Sequence, residues 1–145
     1  MNRLEAYLFN FANLLVCGTG AIYAWMLYCL EPLDEFSILN HPMQADLQAW
    51  HILSAPLFIF MAALLWKNHV WAKMKSGNKR SRRSGFGLAL NLMPMIFSGY
   101  LLQTTTDETW SEIWMVMHLC TSGLWICATL VHLFLSYRSD GKLSK

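Results

Sequence analysis

Four long apolar segments constrain the fold of this chain more than any other feature of its sequence. They cover about residues 6–30, 47–66, 86–102 and 113–137 of the 145, within predicted helices over about 6–30, 43–71, 86–103 and 111–137. A bilayer core about 30 Å thick needs roughly 20 apolar residues of helix to cross it, and each segment meets that length. The sequence therefore predicts an all-α membrane protein with four transmembrane helices, arranged as an up-down bundle.

The composition agrees with this class. Hydrophobic residues make up 55% of the chain and charged residues only 14%, whereas a soluble domain carries about 25% charged residues. The length suits one domain, so residues 1–145 are expected to form a single four-helix domain. The first segment is expected to remain as a helix, because its apolar part is too long for a signal peptide and no small-x-small cleavage site follows it.

Basic residues are distributed on one side of the predicted membrane. Arg3 precedes the first segment, seven basic residues lie between the second and third, and Arg138, Lys142 and Lys145 end the chain, whereas the other two loops contain acidic residues and no Lys or Arg. The positive-inside rule therefore predicts cytoplasmic N- and C-termini and a cytoplasmic basic loop. The basic stretch KSGNKRSRR is expected to lie beside lipid headgroups rather than to bind nucleic acid.

Local signals add detail at the helix ends. His41-Pro42 is expected to be a non-helical step just before the second helix, and Thr109 or Ser111 is expected to cap the fourth. The four cysteines form no CxxC pair, so they are interpreted as small packing residues. No internal repeat is apparent in the sequence.

Four of the five histidines fall on the second and fourth helices. His51 and His69 are eighteen residues apart, which is five helical turns, and His118 and His132 are fourteen apart, about 40° short of four turns. Each pair therefore shares a helix face. Because both helices run inward, His51 and His118 (the outer pair) are expected near the outer surface, and His69 and His132 (the inner pair) near the inner one.

Histidines at matching depths favour a metal-binding function. An ionisable side chain within a membrane is costly and is a functional candidate by default. Neutral imidazole is a good ligand for iron, and its second ring nitrogen commonly donates to a carbonyl or hydroxyl that fixes the ring. The two pairs therefore predict bis-imidazole ligation of two haems. The axial separations of about 27 Å and about 21 Å differ, so His69 could instead be a histidine at headgroup level.

Small and polar residues near the histidines are candidate haem contacts. These are Ala55, Ala62, Ser98, Gly99, Tyr100 and Ser122. Small side chains permit the close approach of a porphyrin edge, but ordinary helix packing explains them equally well. A quinone contact at the outer edge, through Gln103, Tyr100 or His41, is also left open, as is a solvated loop position for His41.

The chain resembles the bacterial membrane b-type cytochromes of the four-helix cytochrome b561-like group, which includes the b subunits of hydrogenases and formate dehydrogenases. The similarity lies in the helix count, in the spacing of His118 and His132, and in the sequence SGY at residues 98–100. The resemblance implies a multi-pass protein of the bacterial inner membrane, with haem b as cofactor. It also implies electron transfer between the quinone pool and a periplasmic redox partner or small oxidant. In hydrogenase-type subunits a histidine of the first helix holds one haem, whereas the first helix of this chain has no histidine.

Two other functions remain open from the sequence. The histidines could line the path of a small metal or proton transporter, although the helices lack the buried carboxylate that a divalent metal would favour. Alternatively, they could pack within a structural or assembly subunit that binds no haem.

Overall fold

We describe the protein from a computed structural model, which covers residues 3–32, 34–66, 71 and 82–140, with side chains in the last two helices from 85 to 135. His69 and most of the basic loop lie outside the described residues. Four helices account for nearly all of the described chain: α1 (Arg3–Cys29), α2 (Gln44–Leu65), α3 (Arg82–Thr104) and α4 (Glu108–Asp140). Each of them contains a stretch long enough and apolar enough to cross a membrane. The prediction of an all-helical protein with four candidate transmembrane helices is therefore confirmed.

The chain divides into two compact units, each made of two helices. In the first hairpin α1 packs against α2, and in the second hairpin α3 packs against α4. Gly20 of α1 lies beside His51 of α2, and the rings of Phe9 and Phe58 are 5.7 Å apart. Because the residue numbers fall along one helix as they rise along the other, the two helices of the first hairpin are antiparallel.

The second hairpin has the same antiparallel register between its helices. Gly99 of α3 lies beside His118 of α4, and Gly85 lies beside His132. Between these contacts, the Asn91 side-chain amide donates a 2.8 Å hydrogen bond to the Thr121 carbonyl and ties the two helices together.

The helix surfaces are largely apolar. Buried positions recur at helical spacing, as on α2 at Ser54, Phe58, Met61, Ala62 and Leu65, but large apolar side chains such as Leu14, Leu53 and Leu90 are exposed. A water-soluble protein would not leave so much apolar surface in contact with water. This distribution is typical of helices that face lipid, and it supports a multi-pass membrane protein.

The loop between α1 and α2 satisfies backbone groups at both helix ends. The Asn40 side-chain amide donates to the carbonyls of Met26 and Leu27 in the last turn of α1. The Gln44 side chain, which is buried, accepts a hydrogen bond from the Asn40 backbone N–H. The turn at His41 and Pro42 precedes α2 as predicted, and the His41 carbonyl accepts from the Gln44 N–H.

The cap of α4 differs from the prediction. Asp107 caps this helix, because its carboxylate accepts a 3.0 Å hydrogen bond from the Trp110 N–H and its carbonyl accepts from the Ser111 N–H. Thr109 and Ser111, the predicted caps, lie inside the first turn. The prediction was wrong because the helix begins at Glu108, three residues before its predicted start at about residue 111.

Candidate functional site

His51 is held on its Nδ1 side by the backbone of α1. Its Nδ1 lies 3.0 Å from the Val16 carbonyl oxygen and 3.4 Å from the Thr19 hydroxyl oxygen. A carbonyl oxygen can only accept a hydrogen bond, so Nδ1 is the donor and carries the ring proton. The coordinating lone pair of the neutral ring is then on Nε2, which is the tautomer required of a histidine that ligates a metal through Nε2.

Gly20 fixes the position of the same ring from the side. A Cβ placed on Gly20 would lie 2.7 Å from Cε1 and 2.9 Å from Nδ1 of His51. Real Cβ atoms do not approach so closely, so glycine is the residue that this contact allows. The imidazole therefore packs directly on the α1 backbone, and its orientation is defined by contacts on two sides.

His118 has the same surroundings in the second hairpin. Its Nδ1 lies 3.1 Å from the Met95 carbonyl oxygen and 3.3 Å from the Ser98 hydroxyl oxygen. A Cβ placed on Gly99 would lie 3.0 Å from Cε1 of the ring. In both hairpins the carbonyl comes from the residue three positions before a hydroxyl residue, and a glycine follows that hydroxyl residue.

The correspondence extends to the helices that carry the histidines. Three residues after His51, the Ser54 hydroxyl donates to the His51 carbonyl at 2.9 Å. Three residues after His118, the Thr121 hydroxyl lies 3.1 Å from the His118 carbonyl. The two hairpins thus repeat one arrangement, a hydroxyl residue and glycine on the first helix and His-x-x-hydroxyl on the second.

The glycine contact of His132 is looser than those of His51 and His118. A Cβ on Gly85 would lie 3.8 Å from its Cε1, which is ordinary van der Waals contact. One turn earlier, the Thr129 hydroxyl is buried without a hydrogen-bond partner within the described chain. His69, the proposed partner of His132, lies outside the described residues, so the inner pair is described only in part.

The other predicted site residues have different surroundings. Ser98 is fully buried and Gly99 half-buried, and both contact the His118 ring. Ala62 is buried, Ala55 and Ser122 are half-buried, and Tyr100 is exposed. The exposed Gln103 side chain donates to the Gly99 carbonyl, and His41 Nδ1 accepts from the Met43 N–H. The four cysteines, two of them on α4, form no disulfide.

Comparisons of the chain with protein-family models, with curated proteins and with solved structures give no match. Within the described chain, no three His, Cys, Asp or Glu side chains come together as a zinc-type site would require. Ligation of a haem iron needs only two imidazoles, and the donor chemistry of His51 and His118 fits that group.

Thr19, Val16 and Met95 were not predicted as parts of the site. Val16 and Met95 contribute only backbone oxygens, which leave no mark on the side-chain pattern. The dipeptides Thr19-Gly20 and Ser98-Gly99, each on the helix that precedes a histidine-bearing helix, are the signal that could have revealed the repeat.

Proposed function

We propose that this protein is a transmembrane dihaem b-type cytochrome that transfers electrons between the quinone pool and a periplasmic redox partner or small oxidant. The proposal rests mainly on one observation: His51 and His118, in separate hairpins, make matching contacts at Nδ1 and present the same tautomer. Histidines that merely pack within a helix bundle have no need of a common geometry. Two imidazoles that would hold one haem do need it, because each would have to present an unprotonated Nε2.

In this proposal His51 and His118 hold the outer haem, and His69 and His132 hold the inner one. Haem iron ligated by two imidazoles supplies reversible one-electron oxidation and reduction. The residues of the chain fix the ligand rings, and the apolar helices exclude water from them and keep the local dielectric low. The acidic outer loops, which include Asp34 and Glu35, are a docking surface for a basic redox partner.

The first test is a reduced-minus-oxidised absorbance spectrum of the purified chain from haem-replete cells, with haem counted per chain. We expect a b-type spectrum and two haems. His118→Ala and His132→Ala should each lose one, because each removes a ligand from a different haem. His41→Ala is the matched control and should keep both, since the loop residue belongs to neither pair.

Other results would change the assignment. A single haem that survives His132→Ala but not His118→Ala would remove the inner site from the proposal. A colourless wild-type protein would overturn the cytochrome assignment and favour the transporter or assembly subunit. Retention of both haems in His118→Ala would show that His118 is not a haem ligand and that the geometry it shares with His51 does not mark haem binding.

A further inference from the structure

We propose that Thr19 and Ser98 are positioning residues that fix the tautomer of His51 and His118 and thereby lower the reduction potential of the outer haem. The effect on potential rests on the proposed function, whereas the effect on tautomer does not. Each hydroxyl lies on the helix that packs against the histidine, and neither belongs to the histidine's own helix.

Each hydroxyl directs its proton to a carbonyl of its own helix and away from the imidazole. The Thr19 hydroxyl donates to the Leu15 carbonyl at 2.7 Å, and the Ser98 hydroxyl donates to the Pro94 carbonyl at 2.7 Å. A hydroxyl has one proton, so the remaining lone pairs are what it presents to the imidazole. Both hydroxyls therefore act as acceptors toward Nδ1, in the same sense as the carbonyls of Val16 and Met95.

Each ring N–H is consequently shared between two acceptors. The carbonyl contacts, at 3.0 and 3.1 Å, are the shorter and stronger ones, and the hydroxyl contacts, at 3.4 and 3.3 Å, are the longer. Acceptors on the N–H of a ligating histidine make the ring a stronger electron donor to its metal. A stronger donor stabilises the oxidised iron more than the reduced iron, so the reduction potential falls.

If the proposed function holds, both hydroxyls would act on one haem. Thr19 would act through His51 and Ser98 through His118, the two residues that would hold it. Loss of either hydroxyl should therefore raise the midpoint of one haem, the same one in both cases, and leave the second haem unchanged.

The experiment is a redox titration of the full-length, haem-loaded protein in detergent, with the Thr19→Val and Ser98→Ala variants. Thr19→Val keeps the shape of the side chain and Ser98→Ala only removes an atom, so neither should disturb packing. We expect up to about a tenfold increase in the ratio of reduced to oxidised outer haem at a fixed potential, equivalent to about 59 mV for one electron. The double variant should shift by about the sum, and Thr19→Ser should restore the wild-type value.

Matched controls are available at the end of α3, outside the repeated arrangement. Thr104→Val and Thr105→Val each remove a hydroxyl that bonds to a backbone carbonyl of α3 rather than to an imidazole nitrogen. Their midpoints should not move. Unchanged midpoints in Thr19→Val and Ser98→Ala, or equal shifts in the control variants, would overturn the proposal.

A second measurement does not depend on haem. Histidine ¹⁵N NMR of the haem-free chain should show His51 and His118 protonated at Nδ1, with that preference weakened in Thr19→Val and Ser98→Ala respectively. A wild-type protein protonated at Nε2 on these rings would overturn the proposal even if the protein is a cytochrome. A colourless protein with the expected tautomers would overturn only the proposed function.

Discussion

Among single residues, two glycines have the clearest role, because they fix the positions of two imidazole rings. Gly20 and Gly99 leave space for these rings, because an added Cβ would lie 2.7 Å from the His51 ring and 3.0 Å from the His118 ring. The ring cannot withdraw cheaply, since it would lose its hydrogen bond to Val16 or Met95. A packed, hydrogen-bonded ring therefore resists displacement more than a flexible side chain would.

Alanine at these glycines should displace the ligands. We expect Gly20→Ala and Gly99→Ala each to lower the occupancy of the outer haem, because overpacking of a tight contact costs about 1–3 kcal/mol. The measurement is the haem-to-protein ratio of the purified variants.

Two other glycines serve as controls for this prediction. Gly18 and Gly87 lie on the same two helices, and an added Cβ there meets no atom within 4 Å. Gly18→Ala and Gly87→Ala should retain full haem. Equal loss in all four variants would attribute the effect to helix propensity or membrane insertion rather than to the rings.

At the scale of helices, the register of each hairpin shows where the repeat ends. In the second hairpin Gly85 and His132 each lie fourteen residues from the Gly99–His118 contact, along α3 and α4. The same steps in the first hairpin lead from Gly20 to Ala6 and from His51 to Leu65, which is buried. The counterpart of His132 is thus a leucine, and His69 comes four residues later in the sequence.

The two histidine-bearing helices therefore space their histidines differently. His69 is eighteen residues from His51, whereas His132 is fourteen residues from His118. An inner haem would need ligands from positions that the repeat does not relate, whereas the outer pair is symmetric in its contacts. The haem count of His132→Ala, described above, therefore tests the less regular half of the proposed function.

The cap of α4 gives a prediction about helix stability. Asp107→Ala removes the acceptor of the Trp110 N–H at the start of α4, and loss of such a cap costs about 1 kcal/mol. Thermal unfolding in detergent should shift downward, while haem content stays unchanged because His118 lies three turns away. Asp107→Asn keeps an acceptor oxygen and should retain most of the stability. Thr106→Ala, at an exposed neighbour, should have no effect, and a comparable loss there would contradict the cap.

At the scale of the whole molecule, the charge distribution predicts the orientation in the membrane. A reporter fused after Lys145 should report the cytoplasm, and one inserted in the turn at Thr105–Asp107 should report the opposite side. Paired green fluorescent protein and alkaline phosphatase fusions measure this, because the first is fluorescent only inside and the second active only outside. Active phosphatase at the C-terminus would invert the proposed depths of both histidine pairs.

The number and approximate bounds of the helices could be predicted from the sequence because long apolar runs dominate it. The predicted limits of α1, α3 and α4 differ from the structure by at most four residues, as where polar residues such as Arg82 and Glu108 extend a helix beyond its apolar part. The predicted end of α2 at residue 71 follows a stretch outside the described residues. The histidines were identifiable as candidates from their spacing alone. Their ring contacts were not, because backbone oxygens and the packing of Gly20 depend on the register between helices, which side-chain patterns do not specify.

The use of backbone oxygens to hold the rings has a consequence for how such proteins diverge. The side chains of Val16 and Met95 are not needed at the imidazoles, so substitutions between apolar residues there should leave the site intact. A distantly related protein would need to keep only three residues of each hairpin: a hydroxyl residue followed by glycine on one helix, and a histidine on the next. A pattern search built on these few letters, read twice along one chain, would recognise distant relatives whose overall sequences have lost any detectable similarity.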